Sequence, residues 1–179
     1  MTSLQSHLRS SALVLAALAL GGCGIARFSI PYEITEQRVM GSPLGGLLGP
    51  VVDIPIDIDL TAETAARDTG PAQHVFLTEL TLAITTTDEP AGDTDDFDFI
   101  DSIDIFVESG TAGSTLPRVR VAHLDPVPMG ARAISLELDG VDLIQYVREG
   151  AVLTSSASGT APPDDVTFDG HLTFAIDVL

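Results

Sequence analysis

From Ala26 onward the apolar residues recur at every second position, with little trace of the 3.6 spacing of a helix. Successive side chains of an extended strand point to opposite faces, so this alternation makes half-buried strands the natural element of the chain. Phe28, Ile30, Tyr32 and Ile34 alternate with Ser29, Pro31, Glu33 and Thr35, and Pro31 suits an edge strand. Ile54, Ile56, Ile58 and Leu60 share one face, and Asp53, Asp57 and Asp59 the other. Thr61 is placed to cap one helical turn from Glu63 to Arg67, which Gly70-Pro71 ends.

A long strand is expected from His74 to Thr87. It carries Phe76, Leu80, Leu82 and Ile84 on one side and Val75, Leu77 and Ala83 on the other, which predicts a central position. Further strands are expected around Ile103 to Val107, Arg118 to Val121 and Ile134 to Leu138. Asp139-Gly140 then forms a turn before a short helix within Val141 to Arg148. Ala151 to Ser158 precedes a run in which Val166, Phe168, Leu172, Phe174, Ile176 and Val178 keep one parity. Asp169-Gly170 could turn a hairpin there, but the arm before it would be only about four residues, so one strand bent at glycine is the better expectation. The pattern predicts an all-β fold: an antiparallel, immunoglobulin-like β-sandwich of about seven or eight strands with one or two short helical turns. One domain, residues 28–179, accounts for it.

The first 22 residues follow other rules. After a polar start with His7 and Arg9, Ser11 to Leu20 is apolar but too short to span a bilayer. Leu20-Gly21-Gly22-Cys23 resembles the lipobox of bacterial lipoproteins: an aliphatic residue, two small residues, then cysteine. The resemblance implies a signal peptide over 1–22, acylation of Cys23, and a short tether over 23–27. Two or three acyl chains hold a protein firmly where one binds only marginally. Gly24, rather than Asp, after the cysteine implies the outer membrane if the source is Gram-negative.

Charge excludes two function classes. The chain has 26 acidic residues against eight basic ones, all arginine, for a formal net charge of −18. Such a surface repels phosphate backbones and anionic headgroups, so neither nucleic acid nor a membrane held by charge is an expected partner. Apolar residues at 45% supply a core and set the chain apart from acidic disordered tails.

The densest acidic stretch is Asp88 to Asp104. Asp93, Asp95, Asp96 and Asp98 supply the hard oxygen ligands that calcium prefers, and make the candidate metal site. The spacing departs from an EF-hand, since Asp98 stands where glycine is needed and Asp104 where a longer glutamate is expected. A solvated loop whose aspartates cap turns is the competing reading. Asp53, Asp57 and Asp59 are explained by a solvated strand face, and Asp164 and Asp165 read as loop residues.

His74, His123 and His171 lack the spacing of a metal motif, and a zinc site would require them to converge with a carboxylate. No Gly-x-Ser-x-Gly elbow and no phosphate-binding glycine loop occurs. A hydrolase would need a cleft gathering an acid pair or a His/Asp/Ser set. With seven Phe, two Tyr and no Trp, stacking platforms for sugars are scarce. The loop Pro43 to Pro50, with Leu44, Leu47 and Leu48, is a candidate contact for lipid or a partner, or a plug over one end of the sandwich.

Phe99 to Val107, Leu116 to Ala122 and Ala161 to Phe174 are similar to a pattern in uncharacterised envelope lipoproteins of myxobacterial type. That resemblance implies a sandwich fold and a surface location, and no activity. The expected function is therefore a lipid-anchored, non-catalytic binding or structural module with an envelope protein as partner. A calcium-dependent adhesion or assembly module using the acidic loop is the alternative.

Overall fold

The structure, a computed structural model, describes residues 26–42, 53–56, 62, 65–86 and 95–178. The expected signal segment, Cys23, the Pro43 to Pro50 loop, Asp57 to Leu60, the expected cap Thr61, Glu63 and Asp93 lie outside the described residues.

The alternation folds as expected into antiparallel strands. In chain order these are β1 (Ala26–Val39), β2 (Asp53–Ile56), β3 (Ala72–Ile84), β4 (Ile100–Ser109), β5 (Val119–Leu124), β6 (Ala133–Ser135), β7 (Glu137–Leu138), β8 (Ala151–Gly159) and β9 (Val166–Val178). Helix α1 (Ile144–Arg148) lies between β7 and β8. One sheet has the order β1-β9-β3-β6 and the other β2-β8-β4-β5-β7. Their inner faces enclose a core centred on Phe97, Phe168, Phe174, Ile103, Ile105, Leu153, Leu172 and Ile176, all nearly inaccessible to water. Each such side chain contributes roughly 1.5–3 kcal/mol by leaving water.

β9 is one continuous strand at the centre of its sheet, paired along its length with β1 and β3. Asp169-Gly170 makes no hairpin. Gly170 faces inward between the two neighbouring strands, where an added Cβ would lie 3.1 Å from Ile34 Cδ1 and 3.3 Å from Leu82 Cδ2. Its role is close approach, not a turn. β1 is the edge strand that Pro31 called for, and a bulge between Ile34 and Gln37 places Glu36 at φ 55°.

Two departures from the sequence reading have local causes. In β3 the buried residues after Ala72 are Val75 and Leu77, then Leu80 and Leu82, while Ala83 is exposed. A bulge between Leu77 and Glu79 inserts Thr78, which switches the parity that faces the core. The apolar residues of opposite parity therefore occupy one face in succession, and are not two buried faces. The Ile134 to Leu138 run, read as one strand, is two. β6 pairs with β3, β7 pairs with β5, and Leu136 crosses between the sheets, its N–H bonded to the Leu80 carbonyl at 3.0 Å. That split takes the count to nine among the described residues.

The sandwich has two distinct ends. At one, β1 starts at Ala26 beside Val178, and α1 packs where Leu143 N–H meets the Val75 carbonyl at 2.7 Å. At the other, Val39 and Val166 adjoin the loops 95–99, 125–132 and 160–165. These are laced together by Phe97 N–H to Ala131 O at 2.8 Å, Val127 N–H to Asp101 O at 2.9 Å and Thr160 N–H to Phe99 O at 3.0 Å. With about 3.3 Å per strand residue, the ends are roughly 40 Å apart.

Candidate functional site

The described part of the acidic stretch, from Asp95 to Asp98, lies at the end remote from Ala26. Asp95, Asp96, Asp98 and Asp164 rim a cleft of about 360 Å³ whose floor includes Phe99, Pro162 and Val166. Among the described residues the cleft lining offers no histidine and no basic group. Asp96 Oδ1 accepts the Asp98 amide at 2.9 Å, and Asp98 Oδ1 accepts the Gly130 amide. Both carboxylates are thus turned onto the protein's own N–H groups, the turn-capping role that short acidic side chains fill. Among the described residues, no group of three or more His, Cys, Asp or Glu converges on a single metal centre.

Asp165 belongs to the same end. It accepts from Arg38 and, at 2.7 Å, from the Gly41 amide, and these bonds hold its carboxyl below the usual range. At the opposite end three further carboxyls are held low. Asp177, only 11% exposed, takes Nε and Nη2 of Arg27 at 2.5 and 2.8 Å, and the Arg27 hydrogen bonds lower its pKa. Glu149 is lowered by the hydroxyls of Ser109 and Ser114 at 2.7 and 2.6 Å. Burial pushes the Asp142 carboxyl up, but hydrogen bonds from His74 at 2.7 Å and from the Val75 and Ile144 amides at 3.1 Å outweigh it, and the net direction is down. These four act as structural acceptors that tie loops, strand ends and α1 in place.

The three histidines do not converge, since His74 is on β3, His123 on β5 and His171 on β9. Each nonetheless stands beside carboxylates. His123 lies 3.4 Å from Asp139 and 3.6 Å from Glu137, with Asp139 also held by Arg120 at 2.9 Å. Arg120 further reaches Asp104 at 3.1 Å.

The densest set surrounds His171 on the outer face of β1, β9 and β3. Register places Glu33 opposite His171 and Glu79 opposite Thr173. His171 Nδ1 meets Glu33 Oε1 at 2.6 Å. Its Nε2 is 3.3 Å from Thr173 Oγ1 and 3.6 Å from Glu79 Oε2, and Thr173 Oγ1 donates to Glu79 at 3.1 Å. Sequence spacing could not find this set, because its members come from three strands. The only available signal was that His171 and Thr173 share a parity.

No family model matches the chain, and no curated protein matches it. Among solved structures, it is similar to a chain of Desmodium yellow mottle tymovirus at 13% identity and a TM-score of 0.31, covering 100% of this chain and 95% of that one. It is also similar to a chain of mud crab tombus-like virus at 8% identity and a TM-score of 0.37, covering 99% and 93%. Likeness at this level says nothing about function.

Proposed function

We propose that the protein is a lipid-tethered module of the cell envelope, a β-sandwich that binds or scaffolds another envelope component without catalysing a reaction. The observation that carries this reading is the placement of the two ends. β1 begins at Ala26, three residues after Cys23, and the acidic loops sit at the opposite end of the sandwich. A chain cleaved before Cys23 loses Arg9, which leaves seven arginines against 26 acidic residues and a net charge of −19, and anchored there it would keep its most acidic loops roughly 40 Å from anionic headgroups, beyond several Debye lengths of about 8 Å. In this reading the acyl chains on Cys23 make the attachment; among the described residues no helix is long and apolar enough to cross a membrane.

Fractionation tests it. Wild type is expected in the membrane pellet and released by detergent, with processing blocked by globomycin. Cys23→Ala is expected to leave the membrane. Recovery of processed wild type in the soluble fraction would overturn the proposal.

A further inference from the structure

We infer that His123 is a proton-operated latch on the edge of the β2-β8-β4-β5-β7 sheet: protonated, its ring ties β7 to β5 through Asp139 and Glu137, and neutral, it leaves one of those ties open. Its Nδ1 lies 3.4 Å from Asp139 Oδ1 and its Nε2 3.6 Å from Glu137 Oε2, both longer than an ordinary hydrogen bond. Nδ1 is moreover sealed from water and has no hydrogen-bond partner. A neutral imidazole carries one proton, so whichever nitrogen holds it, the other turns a lone pair toward a carboxylate that can only accept. The imidazolium donates from both nitrogens. Because a sealed polar atom without a partner is costly, protonation removes a defect as well as adding two charge-assisted bonds.

The other two histidines have neutral solutions. His74 Nδ1 donates to Asp142 at 2.7 Å, and His171 Nδ1 donates to Glu33 at 2.6 Å while the Thr173 hydroxyl stands 3.3 Å from its Nε2. The charges around His123 favour the closed latch. Register sets Asp104 of β4 opposite it on one side and Glu137 of β7 on the other, and Asp139 directly follows β7. Against these three carboxylates stands Arg120 of β5, which is shared between Asp104 at 3.1 Å and Asp139 at 2.9 Å. The element that the latch holds is small. β7 pairs with β5 at two positions, Ala122 opposite Leu138 and His123 opposite Glu137, and the Asp139 N–H then meets the Val121 carbonyl at 3.0 Å. With so short a ladder, two side-chain ties are a large share of what keeps this edge from opening locally. Carboxylates are ionised throughout the ordinary histidine range, so the latch closes as pH falls through that range and its contribution is lost as pH rises.

The test is hydrogen exchange of the purified full-length chain, read amide by amide by NMR and corrected for the intrinsic dependence of exchange on pH. The Asp139 N–H reports the latch, because its bond to Val121 opens when β7 lifts. Its protection is expected to rise about three- to tenfold between about pH 7.5 and about pH 5.5, while amides in the middle of β9 change little. His123→Gln should abolish the rise and Glu137→Gln should reduce it, whereas His74→Gln and His171→Gln should keep it. A thermal melt confirms that each variant folds. Wild-type protection at Asp139 that ignores pH would overturn the inference without recourse to any variant. An equal rise in His123→Gln, or a uniform rise that includes β9, would overturn it as well.

Discussion

Substituting Gly170 separates close packing from turn formation at the centre of β9. An alanine Cβ there would meet Ile34 Cδ1 at 3.1 Å, Leu82 Cδ2 at 3.3 Å and Ile34 Cβ at 3.4 Å. Overpacking of this kind costs about 1–3 kcal/mol. Replacing glycine within a strand returns about 0.5–1 kcal/mol, because the unfolded chain loses freedom. The expected net loss for Gly170→Ala is therefore about 1 kcal/mol. Ile34→Val removes the closest methyl and alone costs about 0.5–1.5 kcal/mol. Because it also relieves the new contact, the double variant should be less destabilised than the sum of the two, by about 0.5–1 kcal/mol. Urea denaturation of the four proteins, followed by circular dichroism, measures this coupling. If Gly170 were instead the left-handed residue of a tight turn, alanine would be strained by its backbone and Ile34→Val would give no rescue. Strict additivity would refute the packing account.

Other perturbations follow from the same geometry. Gly159 adopts φ +143°, and an added Cβ would lie 2.1 Å from the Phe99 carbonyl oxygen, so Gly159→Ala should destabilise by about 3 kcal/mol or more in the same assay. Asp142, Glu149, Asp165 and Asp177 have depressed pKa values in the fold, so their contribution is complete above the ordinary carboxyl range and is lost as pH falls through the depressed values. Melting temperature should accordingly drop below about pH 4, and Asp177→Asn should shallow that drop; a steep loss between pH 7 and 5 would contradict the assignment. Because Asp96 and Asp98 serve the protein's own amides, millimolar calcium should leave the melting temperature unchanged, whereas a bound ion would raise it.

Much of the architecture was legible in the period of the sequence. The unbroken parity of Val166, Phe168, Leu172, Phe174, Ile176 and Val178 announced a single long strand, and Pro31 announced an edge. What escaped was whatever depends on a partner strand. The bulge at Thr78 is a mismatch between β3 and β9, so the sequence of β3 alone reads as two apolar faces. The passage of Leu136 between sheets leaves the alternation of Ile134, Leu136 and Leu138 intact and is invisible to it. The His171 set is hidden for the same reason, since Glu33 and Glu79 reach it only through the register of β1 and β3 on β9. The acidic loop was conspicuous in composition, yet composition could not say that Asp98 would turn onto Gly130 from 32 residues away.

The intact mass of the protein extracted from membranes tests the anchoring claim most directly. The account predicts a chain that starts at Cys23, lacks Met1 to Gly22, and carries the added mass of a diacylglycerol group with or without a further acyl chain. An unmodified Cys23, or a chain that retains its first 22 residues, would contradict it.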